Sequence, residues 1–228
     1  MSVLRSLLYY PLFYGGSAVL VFAAGLASYL GSETLRAVVR WWTNWHRWCV
    51  TYILGIEIRV EGKIPAGPVL IAMKHESFFE AIDAPTLLPY PSVFAKRELF
   101  KIPVWGRSAR VYGLTPVSRD EGARALRQML SAAKQRLAEG RPLLIFPEGT
   151  RVPHGKPASL QAGFAGIYKL LGVPVIPCAV NSGPLYHRLW KRGGVITYKF
   201  GDLIPAGLSR AEAEARVQAA INALNEGG

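Results

Sequence analysis

Apolar and polar residues are distributed in three different ways along the chain. Residues 6–30 carry no charged side chain, so they predict a long apolar helix, and Pro11 with the glycine pair at 15 and 16 predicts a kink or break in its first half. Residues 33–54 place apolar side chains three and four apart, which predicts an amphipathic helix with its arginines largely on another face. From residue 56 onward, short apolar runs alternate with amphipathic stretches, which predicts strands separated by helices.

The alternation of apolar runs and amphipathic stretches beyond residue 56 predicts the strands and helices of one α/β domain. Apolar runs predict strands over 56–60, 68–73, 92–96, 143–146, 173–180 and 195–200. Amphipathic stretches predict helices over 78–88, 104–110, 121–138, 163–171 and 209–224. We therefore expect a central, mostly parallel or mixed sheet layered with helices. We expect residues 55–228 to form this domain and residues 1–54 to form an N-terminal two-helix membrane anchor.

The two N-terminal helices differ in how they would meet a membrane. A helix over 6–30 is long enough to cross a hydrocarbon core of about 30 Å. In the second helix the apolar face would contain Leu35, Val38, Trp42, Trp45, Cys49 and Tyr52. Its tryptophans suit the headgroup boundary, while a tryptophan-rich helix packed on the main domain is the alternative. The sequence leaves open whether the two helices span the bilayer or enter one leaflet.

The charge of the chain favours an anionic partner. The formal net charge is +12 and the pI is about 10.0. Basic proteins attract nucleic acid, anionic lipid headgroups or phosphorylated substrates. No nucleic-acid-binding signature accompanies the charge, so we expect membrane lipids with anionic headgroups and no nucleic acid. The two cysteines are far apart in dissimilar segments and predict neither a disulfide nor a metal site.

The segment KHESFFEAID, residues 74–83, carries the candidate general base. His75 stands where a strand gives way to a helix, and imidazole titrates near neutral pH, as removal of a proton from a hydroxyl requires. Glu80 could bind the other ring nitrogen. The alternative is structural: Ser77 and Glu80 have the spacing of a capping box, in which both residues serve the start of the helix.

Three further segments follow the predicted strands. AKRELFKIPVWG, residues 95–106, brings Lys96, Arg97 and Lys101 to the end of a strand, although alone it is typical of a solvated basic loop. FPEGTR, residues 146–151, delivers Arg151 to the carboxyl edge of the sheet, where ligands of α/β proteins bind; a plain turn with an ion pair is the alternative. VPVIPCAV, residues 173–180, contains Pro177, which predicts an edge or a bulge that lines a groove, or else a buried strand.

Taken together and in this order, these four segments resemble the motifs of the glycerolipid acyltransferase family, in particular its bacterial 1-acyl-sn-glycerol-3-phosphate acyltransferases. FPEGTR combined with an upstream His-x-Ser is the most specific part. The family's first motif usually reads Asn-His followed by Asp five residues after the histidine. Here Lys74 replaces the asparagine and Glu80 replaces the aspartate, while Asp83 is a weaker partner because its spacing from His75 differs.

The resemblance implies an enzyme that moves a fatty acyl group from acyl-CoA or acyl carrier protein to the sn-2 hydroxyl of lysophosphatidic acid, giving phosphatidic acid in phospholipid synthesis. It implies that His75 is the base, that Glu80 orients it, and that Pro177 belongs to the acyl or donor site. The residues implied for the substrate phosphate are Lys96, Arg97, Arg119, Glu148, Gly149 and Arg151. No cofactor or metal is expected. The implied location is the inner membrane, with the catalytic domain facing the cytoplasm.

Two other functions remain open on the sequence. One is acyl transfer to another lysolipid, such as a lyso-ornithine lipid or a lysophospholipid, and the other is non-catalytic binding of anionic lipid at a membrane. A soluble hydrolase is disfavoured because the chain has no G-x-S-x-G elbow. His46, His154 and His187 have no carboxylate at a useful local spacing and are not expected to act as bases.

Overall fold

The computed structural model describes residues 2–65, 67–117 and 122–225, and the side chains of these except residues 122–126. Two helices come first, α1 (Ser2–Leu30) and α2 (Ser32–Trp48), and a π-helical turn (Cys49–Leu54) continues the second. Among the described residues, α1 is the one helix that is long and apolar enough to cross a membrane.

The break predicted in the first half of α1 is wrong, because the helix continues through Pro11 and both glycines. The indole of Trp45 lies against Gly16, where an added Cβ would overlap its ring nitrogen. Gly16 therefore allows α2 to approach α1 closely. The Trp42 indole also donates to Ser17 Oγ at 3.0 Å, so tryptophans of α2 contact α1 directly.

The predicted apolar face of the second helix is correct at Leu35 and Cys49, which are buried, but not at Tyr52, which is exposed. The π-helical turn explains the difference, since its wider winding rotates the following residues away from the α-helical face. Trp41 and Trp48 are also exposed.

Seven strands form one mixed sheet in the order β1-β7-β6-β2-β5-β3-β4, and all neighbours are parallel except β6 and β7. Their bounds are β1 (Ile56–Glu61), β2 (Leu70–Met73), β3 (Ser92–Lys96), β4 (Thr115–Val117), β5 (Leu143–Ile145), β6 (Val175–Val180) and β7 (Gly194–Phe200). The predicted mixed α/β architecture is confirmed. The additional strand β4 was not predicted because it has only three residues, which are too few to show an alternation of apolar and polar side chains.

Six helices follow along the described chain beyond the N-terminal pair. They are α3 (Phe79–Leu87), α4 (Trp105–Tyr112), α5 (Gly122–Ala138), α6 (Ala162–Leu171), α7 (Gly183–Tyr186) and α8 (Arg210–Ile221), with a 3₁₀ turn at Arg97–Lys101 before α4. The sequence did not predict α7 or this turn, because both are shorter than two α-helical turns.

The two faces of the sheet are covered by different helices. Side chains of β2 alternate between them: Ile71 and Met73 belong to the core that includes residues of α1, α3 and the π-helical turn. Leu70 and Ala72 belong to a second core shared with α5, α6 and α8. The N-terminal helices therefore form a layer packed against the α/β domain.

Pro177 lies inside the sheet, so the predicted edge or bulge is wrong and the alternative of a buried strand is correct. Its place in the acyl or donor site stays a prediction. Pro177 is buried in β6, between β2 and β7, and pairs in register with Ala72. Its carbonyl accepts from Gly201 N at 2.9 Å, directly after the last residue of β7. Proline has no N–H to donate back, so only one hydrogen bond joins this pair of residues.

Candidate active site

The parallel strands bring three of the sequence segments to one edge of the sheet. His75 follows β2, Phe146 begins the loop after β5, and Lys96 ends β3, and these strands run parallel. Their carboxyl ends therefore lie side by side, as is typical of ligand sites in open α/β sheets.

Two contacts fix the ring of His75. Its Nδ1 lies 3.0 Å from Glu80 Oε1, and the ring stacks on Phe146 with centroids 4.1 Å apart. Since a carboxylate accepts hydrogen bonds, this geometry assigns the proton to Nδ1 and the lone pair to Nε2. His75 thus has the arrangement of a base whose orientation is set by a neighbouring carboxylate.

Glu80 serves the helix start and the histidine together. Oε1 also accepts from the backbone N–H groups of Glu76 and Ser77, at 2.5 and 2.7 Å. Oε2 accepts from the hydroxyls of Ser77 and Ser182, at 3.0 and 2.7 Å. Burial alone would raise the pKa of this fully buried carboxyl. The hydrogen bond and the charge of His75, together with hydrogen bonds from Ser77 and Ser182, instead keep the pKa below its ordinary value.

The backbone of His75 is bound on both sides by the loop after β5. Its N–H donates to Glu148 Oε2 at 3.2 Å, and its carbonyl accepts from Val152 N at 2.7 Å. Glu148 is itself buried, and its other oxygen lies 2.6 Å from Lys74 Nζ. The carboxylate therefore binds protein groups on both sides, and its predicted role at the substrate phosphate stays a prediction.

A cavity of about 1010 Å³ lies beside His75. Its wall is mostly apolar and combines residues of α1 and α2 with residues of α3, α4 and α6. Leu20 and Ala24 of α1 line it, and so do Ile82 and Phe146 of the α/β domain. The cavity has the size and character of a site for a large apolar ligand.

The other residues predicted to bind the substrate phosphate fall into three groups by their position relative to His75. Lys96, Gly149 and Arg151 line the same cavity as His75, and the Arg151 guanidinium lies 4.1 Å from the centre of the Phe78 ring. Arg97 is exposed at the start of the 3₁₀ turn and is not part of the cavity wall. Arg119 lies outside the described residues.

Asp83, the weaker partner considered for His75, has a different role. Both of its oxygens accept from the Arg47 guanidinium, at 2.8 and 2.6 Å, and one also accepts from the Tyr198 hydroxyl at 3.0 Å. Asp83 is fully buried and joins α3 to α2. It stabilises the packing of the N-terminal helices on the domain.

The other histidines have partners that the local sequence does not reveal. His154 Nδ1 lies 2.9 Å from Glu76 Oε1, a contact between residues 78 positions apart. His46 is fully buried, its Nε2 lies 2.9 Å from the Tyr186 hydroxyl, and burial lowers its pKa to about 3. His187 is exposed. Neither His46 nor His187 lines the cavity beside His75.

Three residues of the site were missed or left without a role on the sequence. Ser182 binds Glu80 from the loop after β6, Phe146 stacks on His75, and Lys74 pairs with Glu148. Ser182 and Phe146 could have been proposed as site residues from their positions in the sequence, since each follows a strand that ends at this edge of the sheet. Lys74 was visible only as a departure from the usual asparagine.

Comparisons with known proteins agree with this geometry. The family model described as Acyltransferase matches residues 56–181. A 1-acyl-sn-glycerol-3-phosphate acyltransferase of Pseudomonas aeruginosa is 31% identical over 165 residues, 72% of this chain and 63% of that protein. A lyso-ornithine lipid O-acyltransferase of the same organism is 32% identical over 205 residues, 81% of this chain and 76% of that protein.

A solved structure has the same fold over the full length. The 1-acyl-sn-glycerophosphate acyltransferase PlsC of Thermotoga maritima superposes with a TM-score of 0.77 and 24% identity, covering 100% of this chain and 99% of that one. The first curated relative is matched over somewhat less than two thirds of its own length. By its length and composition, the apolar α1 indicates a membrane protein. Because the family model covers more than half of its residues, the chain belongs to the acyltransferase family.

Proposed function

We propose that this protein transfers a fatty acyl group from acyl-CoA or acyl carrier protein to the sn-2 hydroxyl of lysophosphatidic acid, giving phosphatidic acid for phospholipid synthesis. The observation that carries the proposal is His75, whose ring is fixed by a buried carboxylate at the wall of a large apolar cavity. The names of its relatives support the same chemistry and the same acceptor.

The reaction follows from the tautomer of His75. Nε2 takes the proton from the acceptor hydroxyl as its oxygen attacks the thioester carbonyl, and Glu80 stabilises the imidazolium that forms. The tetrahedral intermediate then collapses, the C–S bond breaks, and the departing thiolate takes the proton from His75. Ester and free thiol are the products, and no proton is gained or lost overall.

Basic residues near the cavity would bind the substrate phosphate. We propose this role for Lys96 and Arg151, which line the cavity with His75, and for Arg97 next to Lys96. Gly149 would let the loop backbone approach the ligand, since it has a positive φ of 68°. Arg119 keeps its predicted role as a proposal from sequence.

The thioester is already an activated acyl group, so we propose that the reaction needs no bound cofactor or metal. The enzyme would supply positioning, acid–base help and an apolar environment. The fatty acyl chain is the ligand that the apolar cavity suits. We further propose that α1 attaches the protein to the inner membrane with the catalytic residues on the cytoplasmic side, where both acyl donors occur.

A second acceptor has a specific observation in its favour. The lyso-ornithine lipid O-acyltransferase aligns with more of this chain than the lysophosphatidic acid relative does, 81% against 72%. Its acceptor hydroxyl would meet His75 in the same way. The two candidates differ in the headgroup, which is phosphorylated in one and an amino acid in the other.

The test is an assay of the purified full chain with each acceptor and each donor. Lysophosphatidic acid, lyso-ornithine lipid and a lysophospholipid are each offered with acyl-CoA and with acyl carrier protein, and diacyl products are measured. We expect the highest kcat/KM with lysophosphatidic acid; a higher value with lyso-ornithine lipid would replace the proposed acceptor.

Variants separate catalysis from lipid binding. His75→Ala should abolish product formation while binding to anionic vesicles persists, and His187→Ala, an exposed histidine, should behave as the unchanged protein. Product formation that is unaffected by His75→Ala would exclude His75 as the base. Vesicle binding without product from any donor and acceptor would favour the non-catalytic alternative.

A further inference from the structure

Lys74 carries an ammonium group at a fully buried position directly before His75. Its Nζ donates to Glu148 Oε1 at 2.6 Å, to Asn222 Oδ1 at 2.8 Å and to the carbonyl of Lys156 at 3.3 Å. An ammonium has three N–H donors, and these three acceptors use all of them. Lys74 is therefore buried as a fully hydrogen-bonded cation.

Glu148 connects this cation to the histidine backbone. One carboxylate oxygen accepts from Lys74 Nζ and the other from the N–H of His75. Both side chains of the pair are completely buried, so Lys74 neutralises a negative charge that has no access to water. Without the cation, Glu148 would have to take up a proton or move towards solvent, and either change would weaken its bond to His75.

Asn222 links the same cation to the C-terminal helix. It follows α8, and its Nδ2 donates to the carbonyl of Gln218 at 2.7 Å, which turns Oδ1 towards Lys74. Three parts of the chain therefore meet at one ammonium: the segment before His75, the loop after β5 and the end of α8. An asparagine at position 74, the residue usual in the family's first motif, carries no charge and its side chain is two atoms shorter.

We propose that Lys74 is a positioning residue for the reaction, which acts through Glu148 to fix the backbone of His75 and joins the end of α8 to the active site. Its kinetic consequence rests on the proposed function, because it assumes that His75 is the base. The geometric part, a coupling between Lys74, Glu148 and His75, does not depend on which lysolipid is the acceptor.

The test compares Lys74→Met with the double variant Lys74→Met, Glu148→Gln. We expect Lys74→Met to lower kcat about 10²-fold with KM changed less than about threefold, because a small displacement of a catalytic group has effects of that order. The double variant removes the buried negative charge but keeps an acceptor for the His75 N–H, so it should recover at least about tenfold of the lost rate. Lys169→Met, at an exposed lysine of α6, is the matched control and should keep the original kcat.

The contact between Lys74 and the end of α8 gives a second readout. Asn222→Ala keeps the Lys74–Glu148 pair and should lower kcat only a few-fold.

The outcomes decide between positioning and simple packing. An unchanged kcat in Lys74→Met, or equal loss in the single and double variants, would overturn the proposal. If the unsubstituted protein transferred no acyl group, the proposed function would fail by itself. The imidazole NMR resonances of His75 would then decide the inference: they should shift in Lys74→Met and return towards their original positions in the double variant.

Discussion

Replacing Glu80 by glutamine tests the proposed His75–Glu80 pair most directly. All three groups at Oε1 are donors, from His75, Glu76 and Ser77, so the amide oxygen of the variant must occupy that position. The amide NH₂ then lies at Oε2, where the hydroxyls of Ser77 and Ser182 can rotate to accept from it. The variant therefore keeps the shape and the tautomer of His75 and loses only the charge.

The size of the effect follows from what the charge does. In a serine protease, the equivalent change from aspartate to asparagine lowers kcat about 10⁴-fold because the histidine tautomer is wrong. Here the tautomer is kept and only the stabilisation of the imidazolium is lost, so we expect kcat to fall about 10²–10³-fold. The hydrogen bonds persist in neutral form, so the free energy of unfolding should fall by only about 1–3 kcal/mol.

The assay measures kcat with saturating acyl donor and the urea-induced unfolding of the same samples. Glu80→Asp, which restores the residue usual in the family, is the matched control, and we expect it to retain more activity because it keeps the charge. A Glu80→Gln variant within threefold of the original kcat would refute the role of the carboxylate. A loss of folding in both variants would show that Glu80 acts mainly as a helix cap.

The pH dependence of stability has a definite sign for Glu80. Its pKa is lowered on folding, so its ionised form adds stability above the ordinary value of 4.5, and that contribution disappears as the pH falls below it through the folded-state pKa. The difference in unfolding free energy between the original protein and Glu80→Gln should therefore shrink as the pH is lowered from 5.

Three further predictions concern the packing around the site. Asp83→Asn should lower the free energy of unfolding by about 1–3 kcal/mol in urea titrations, because it breaks the ion pair of the buried Asp83 with the half-buried Arg47. The pKa of His46 is lowered to about 3, so unfolding free energy should fall by up to about 1.4 kcal/mol per pH unit as the pH drops below 6.5, and His46→Gln should remove this slope. Ala24→Phe, in the cavity wall, should lower kcat/KM more for long than for short acyl donors in a chain-length series.

The sequence predicted the parts of the fold that depend on local periodicity. The strand at residues 92–96 was predicted with its observed bounds, and the position of His75 after a buried strand followed from the apolar run before it. The shared edge of the sheet was also predictable, since parallel strands separated by helices end on the same side.

The errors arose where contacts between distant residues decide the outcome. Gly16 was interpreted as a helix breaker, but its role depends on Trp45, which approaches it from α2. The ion pair of Glu148 was missed because its partner Lys74 stands 74 positions earlier. The cavity could not be predicted either, since its wall combines α1 with α3 and α6. No local pattern contains such information.

The two sequence interpretations of Glu80, helix cap and partner of His75, are compatible because both use the same oxygen. A buried carboxylate is costly to ionise, and one imidazole donor would offset only part of that cost. The backbone N–H groups at the start of α3 and the hydroxyls of Ser77 and Ser182 supply the remaining donors. The capping interactions therefore keep the Glu80 carboxyl ionised although no water reaches it. An ionised Glu80 is needed to stabilise the positive charge that the proposed reaction places on the His75 ring. The capping interactions are a physical condition for the proposed catalytic role.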